Sequence, residues 1–253
     1  MPFPPLLLIH GPATSAWIWD VWRKFLGALG WNANVLDLRG HGRSLPVEFS
    51  TVTMEDYVAD VESVTRQIAA SFSHHPVLFG WDMGGLVAMM YASGHPETPA
   101  LVLFSPRPPF QVGGRASAEE VRQTPIESYS AAIYGVRPDD PQALRSLLFD
   151  LTDDEMARVI ANCASQLESG FARRQRQRGI SIPQGSLHCP SLVVYGERDA
   201  HFSPELNRRL AIFLAADKLE VGNAGHWGII CGESLVAQTA PKVDVWLRDV
   251  LGG

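Results

Sequence analysis

An α/β fold with a mostly parallel sheet flanked by helices is the architecture this sequence predicts. Short apolar runs alternate with longer amphipathic stretches, as in successive βαβ units. No internal repeat and no linker rich in Gly and Ser interrupts that alternation. Residues 6–10 read as a buried strand, 21–29 as a helix and 34–38 as a second strand. Thr53 opens a helix through about residue 70, with Asp56 at the capping-box position. Residues 77–79 form a third strand, and a sharp Gly-rich turn leads into a helix over 86–93. Residues 101–104 are a fourth strand, 192–195 a fifth, followed by a helix from Pro204. Residues 218–221 are a sixth strand, and a terminal helix contains residues 243–251.

Between 106 and 188 the pattern changes. No strand signal is present, and prolines at 106, 108, 109, 125, 138 and 141 break the first half into short pieces. Helical periodicity resumes over 152–167, where Thr152 and Glu155 can form a second capping box. The segment reads as a helical insertion over the sheet, dividing a core made of 1–105 and 189–253.

Composition limits the function classes. Of 253 residues, 46% are hydrophobic and 19% charged, which suits a buried core and excludes a disordered chain. A net charge of −6 and a pI near 5.7 argue against a nucleic-acid or anionic-membrane partner. The apolar run over 4–9 is too short to span a bilayer, and without a basic n-region it does not read as a signal peptide. Cys163, Cys189 and Cys231 are odd in number and widely spaced, which suits reduced thiols in a cytoplasmic protein. No phosphate loop and no metal-ligand spacing is visible, so neither cofactor nor metal is expected. The expected partner is a small hydrophobic substrate, bound by a monomer or homodimer.

Three segments carry chemistry. Gly80-Trp81-Asp82-Met83-Gly84-Gly85 lies between a strand and a helix, and small residues at both flanks permit a strained turn with Asp82 at its apex. The following helix points its positive end at that apex. The strand over 192–195 runs out into Gly196-Glu197-Arg198-Asp199, where Asp199, with Glu197 in reserve, is placed to orient a histidine. His226 in Asn223-Ala224-Gly225-His226-Trp227 is that histidine. The chain order nucleophile, acid, base is specific. A solvated Asp in a Gly-rich loop and a turn-capping Asp199 are the plain alternatives.

With His10-Gly11 and Arg39-Gly40-His41-Gly42-Arg43-Ser44 added, the chain resembles the α/β-hydrolase superfamily over nearly its whole length. The start at residue 6 and Ser15-Ala16-Trp17-Ile18-Trp19 look most like the compact methylesterase and hydroxynitrile lyase branch. The resemblance implies a helical cap and a triad of Asp82, Asp199 and His226. An Asp apex is similar to that of epoxide hydrolases and haloalkane dehalogenases. A carboxylate attacks an sp³ carbon to give a stable alkyl ester, which His226 then hydrolyses with water.

The family pattern also implies an oxyanion hole made by the Met83 N–H and a donor two residues after His10. That second position is Pro12, which has no N–H, so Ala13 is the substitute donor. Losing one such donor costs about 10²–10³ in rate. An epoxide-opening acid would come from Tyr129 and Tyr134, although their spacing of five does not share one helix face. Trp17, Trp81 and Trp227 are candidates for the pocket wall. Trp17, Trp19 and Trp22 together read as a core cluster, and the run Arg173, Arg174, Arg176, Arg178 reads as a solvated helix face. Epoxide hydrolysis is the first expectation. The alternatives are a serine-type carboxylesterase or lactonase with Asp in place of Ser at 82, and a non-hydrolytic lyase, cyclase or binding protein.

Overall fold

The computed structural model describes residues 3–125, 128–130, 140–163 and 167–252, with 126–139 described by backbone alone where they are described at all. Six strands form one parallel sheet: β1 (Leu6–Ile9), β2 (Ala33–Leu36), β3 (Val77–Trp81), β4 (Leu101–Phe104), then β7 (Ser191–Gly196) and β8 (Asp217–Val221). Their spatial order is β2-β1-β3-β4-β7-β8. Every residue of β1, β3, β4 and β7 is buried, as parallel strands covered on both faces require. The edge strand β8 instead carries exposed Asp217, Lys218 and Glu220, which discourages pairing with another chain.

Alternate residues of β1 feed two cores, because successive side chains point to opposite faces. Leu6 and Leu8 pack with Trp22 and Leu26 of α1 (Asp20–Ala28), and Leu7 and Ile9 with Tyr57 and Val61 of α2 (Met54–Phe72). The helix α3 (Met83–Ala92) joins the α2 side. Thr53 and Asp56 close the expected capping box on α2. Trp19 and Trp22 are fully buried and packed on Phe104, and Trp17 is half-buried against the same core.

The order in which strands are added reverses between β1 and β3, since β2 lies to one side of β1 and all later strands to the other. Open parallel sheets place ligands outside the strand ends at such a switch point. The turn at Asp82 leaves the end of β3 there.

Between β4 and β7 lie the helices α4 (Phe110–Gly113), α5 (Ala118–Gln123), α6 (Pro141–Leu147), α7 (Asp153–Cys163) and α8 (Gly170–Arg178). Two corrections arise here. The segment is not wholly helical: β5 (Ser128–Ser130) pairs antiparallel with β6 (Leu167–Ser169). The helix that opens with the Thr152–Glu155 box ends at Cys163, and Leu167 starts a strand. Three-residue strands are too short for an alternation to register in sequence. The chain continues through α9 (Pro204–Leu214), α10 (Gly228–Cys231) and α11 (Glu233–Val250). No helix among the described residues is long and apolar enough to cross a membrane.

Candidate active site

The turn after β3 is built by close backbone packing. Gly84 approaches β1 so tightly that a Cβ would lie 2.3 Å from the Ile9 carbonyl oxygen, and at Gly80 one would lie 2.6 Å from that of Gly84. The chain therefore reverses only by forcing the apex into an unusual conformation. Asp82 has φ 49° and ψ −117°, a region that non-glycine residues rarely occupy. α3 starts at Met83, three residues earlier than periodicity suggests, because the glycines belong to the helix.

Asp199 and His226 converge on this apex. His226 donates from Nδ1 to Asp199 Oδ2 at 2.8 Å, and its Nε2 stands 3.6 Å from Asp82 Oδ2. The other Asp199 oxygen accepts the N–H groups of His201 and Phe202, both at 2.8 Å. All three triad side chains are buried. Burial alone would lower the His226 pKa, but the charges and hydrogen bonds of Asp199 and Asp82 outweigh it and push it up to about 9. Asp199 is also costly to bury, yet the imidazolium and its hydrogen bonds hold its carboxyl below the usual range. At neutral pH these interactions favour the imidazolium form of His226 beside the Asp199 carboxylate. Glu197, the reserve acid, turns instead to the Asn223 N–H at 2.9 Å and helps shape the histidine loop.

His201 was not indicated by any motif. Its Nε2 lies 3.8 Å from Asp82 Oδ2, and its ring is 4.9 Å from that of His226. Burial, then the nearby His226 charge, pushes its pKa down to about 4, so it is neutral beside a charged histidine. Asp82, His201 and His226 bring one ligand atom each to within 4.8 Å of one another, a cluster that sequence spacing gives no sign of. Asp150, from the insertion, also went unmarked: its carboxylate accepts the Gly225 N–H next to His226.

Trp81 is fully buried; its indole N–H donates to the His226 carbonyl at 3.2 Å, and its ring packs edge-on against Trp227 at 4.9 Å. Both tryptophans thus brace the histidine loop from behind. Tyr129 lies in β5 opposite Glu168, with only its backbone described, and Tyr134 falls outside the described residues.

The substitute oxyanion donor has another acceptor. Ala13, at φ 49°, donates its N–H to Glu168 Oε2 at 3.1 Å. Glu168 is completely buried and paired through Oε1 with Arg176 Nη1 at 3.2 Å, and His41 Nε2 stands 3.8 Å from it. Arg176 also donates to Met83 Sδ at 2.8 Å. The arginine run is thus not uniformly solvated: the helical period turns Arg176 inward, onto α2 and the Asp82 turn. Met83 opens α3, where the first N–H groups have no intrahelical acceptor, and its N–H remains suited to an oxyanion.

Comparison with known proteins bears on the fold and the family. A profile described as "Alpha/beta hydrolase family" matches residues 6–238. A pimeloyl-[acyl-carrier protein] methyl ester esterase of Salmonella newport is 35% identical over 106 residues, which is 42% of this chain and 38% of that protein. The matched stretch therefore spans well under half of that relative. Among solved structures, a thermophilic esterase from Thermogutta terrifontis superposes with a TM-score of 0.75 at 22% identity, covering 97% of this chain and 90% of that one. A bromoperoxidase from Bacillus anthracis gives 0.73 at 16%, covering 98% and 92%. At such identities these structures speak for the fold alone. With a family match over nearly its whole length, the chain belongs to the alpha/beta hydrolase family.

Proposed function

We propose that this protein is a hydrolase that opens a small hydrophobic electrophile at an sp³ carbon, with an epoxide as the leading class, through an alkyl ester on Asp82. The observation that carries this reading is the carboxylate at the strained apex, with His226 Nε2 at 3.6 Å and Asp199 behind it. A serine in that place needs a base before it can attack. A carboxylate does not, so a resting imidazolium is an asset here.

The steps balance. An Asp82 oxygen attacks the epoxide carbon, the C–O bond breaks, and His226 gives its proton to the departing alkoxide. Esterification removes the Asp82 charge, one of the two influences that raise the His226 pKa. The histidine, now neutral and more easily kept so, takes a proton from water, and hydroxide adds to the ester carbonyl. The Met83 N–H faces the oxyanion. Collapse expels the second alkoxide, which takes the proton of the regenerated carboxyl, and His226 is again an imidazolium. The net change is epoxide plus water to diol. In this scheme residues 106–188 act as the cap, and the enzyme works without cofactor as a cytoplasmic monomer or homodimer.

Ester hydrolysis is the second reading, favoured by the esterases to which the chain is similar. Attack by Asp82 on an ester would instead form an anhydride while expelling an alkoxide, a poorer exchange. The two are separated by His226→Gln, which lacks the base for the second step and also the acid of epoxide opening; the alkyl halides in the panel need no acid and test attack by Asp82 on its own. Incubated with epoxides, alkyl halides and activated esters, it is expected to accumulate an adduct on Asp82, seen by intact mass and peptide mapping. Wild type in ¹⁸O-water is expected to gain label in the Asp82 carboxylate. A folded His226→Gln protein with no adduct, together with strong esterase activity in Asp82→Ser, would overturn the alkyl-ester reading.

A further inference from the structure

We infer that Asp82 Oδ2, His201 Nε2 and His226 Nε2 form a binding site for a divalent transition metal of the Zn²⁺ type. The three atoms lie within 4.8 Å of one another, with Asp82 Oδ2 3.8 Å from His201 Nε2 and 3.6 Å from His226 Nε2. Even at the widest of these spacings, an ion centred among them is roughly 2.4 Å from each donor. Zinc bonds to imidazole and carboxylate are about 2.0–2.2 Å, so side-chain shifts of a few tenths of an ångström close the site.

The donor set selects the ion. Two imidazoles and one carboxylate suit Zn²⁺, Co²⁺ or Ni²⁺, whereas Mg²⁺ and Ca²⁺ favour oxygen. The ion displaces the Nε2 proton of His226 to solvent, and three protein ligands leave a fourth position for water or another small ligand, the arrangement of an open zinc site.

The surroundings supply what such a site needs. Asp199 holds both histidines, through the His226 Nδ1–H on one oxygen and the His201 backbone N–H on the other. The His226 contact turns its Nε2 toward Asp82, as the carboxylate–histidine–metal relay does to fix a ligand ring, and the His201 contact anchors the backbone from which its ring reaches Asp82. The His201 side chain is 28% exposed while those of Asp82 and His226 are nearly closed off, so His201 is the ligand through which an ion arrives from solvent.

A bound ion would tie up the nucleophile and the base together and silence the hydrolase. That consequence, unlike the site itself, rests on Asp82 being the nucleophile.

The probes are Zn²⁺ by titration calorimetry and Co²⁺ by visible absorption, on the metal-stripped full chain. One ion per chain is expected, with the intense bands of four- or five-coordinate cobalt. His201→Ala should weaken binding more than 100-fold, and Asp199→Asn by about 10–100-fold. The double variant His74→Ala/His75→Ala should bind as wild type does. Circular dichroism and the urea midpoint confirm that each variant is folded. The site is overturned if no binding tighter than about 1 mM is found, if folded His201→Ala retains wild-type affinity, or if the His74/His75 variant loses it. None of these readouts uses a substrate, so a failed metal site and a failed alkyl-ester mechanism are told apart.

Discussion

Glu168 and Asp82 are both buried carboxylates, and the structure holds them differently. Glu168 is gripped: a backbone N–H at 3.1 Å, a guanidinium at 3.2 Å, and an extended strand beneath it. Its charge is spent on tying the insertion strand β6 to the loop after β1. Asp82 sits on a backbone at φ 49°, facing two imidazole nitrogens at 3.6 and 3.8 Å. The first arrangement is an anchor. The second keeps a charge poised where an incoming atom can displace its neighbours. Burial alone does not separate them; the spacing of the partners does.

The contrast is sharpest in a pair of variants. Asp82→Ala is expected to lower turnover at least about 10⁴-fold, as loss of a nucleophile does, while moving the urea midpoint little. Glu168→Gln removes the carboxylate paired with the buried Arg176 and should cost about 3–5 kcal/mol of stability. Adding Arg176→Met should recover part of that loss. Comparable destabilisation by Asp82→Ala would break the distinction between anchor and reactive group.

pH probes the same division. His10 accepts from the Leu38 N–H and donates to the Gly11 carbonyl; burial, then His41, pushes its pKa down to about 3. Below pH 6.5 the unfolded chain binds a proton there that the folded chain refuses, so stability falls as pH drops from 6.5 toward 3. His226 has the opposite sign. Its contribution is complete below 6.5 and is lost as pH rises through about 9. Thermal midpoints across pH 4–10 should therefore peak near neutrality, and His226→Gln should flatten the alkaline limb.

The smallest effect lies outside both clusters. Thr53→Ala removes the capping box of α2 and should cost about 1 kcal/mol in urea unfolding with turnover unchanged. A change in turnover would mean that α2 communicates with the site through Arg176.

What the sequence made legible was short-range. β1, β3, β4 and β7 are buried on both faces and so read as continuous apolar runs. The Asp82 turn announced itself because its glycines lie within five positions of each other. Asp199 and His226 followed from chain order after strands already located. The unread parts are pairings across long separations: Ala13 with Glu168, 155 positions apart, Met83 with Arg176, 93 apart, and Asp150 with Gly225, 75 apart. Nothing local marks such partners. His201 is only two residues from Asp199, but a histidine in a loop carries no spacing that declares its neighbours.

The tight seam between Gly84 and β1 has a consequence for how this protein changes over time. The bend is fixed by backbone meeting backbone, and the side chain at the apex takes no part in closing it. The apex is therefore an interchangeable fitting in a rigid socket. One substitution there changes the group presented to the site without redesigning the scaffold that presents it.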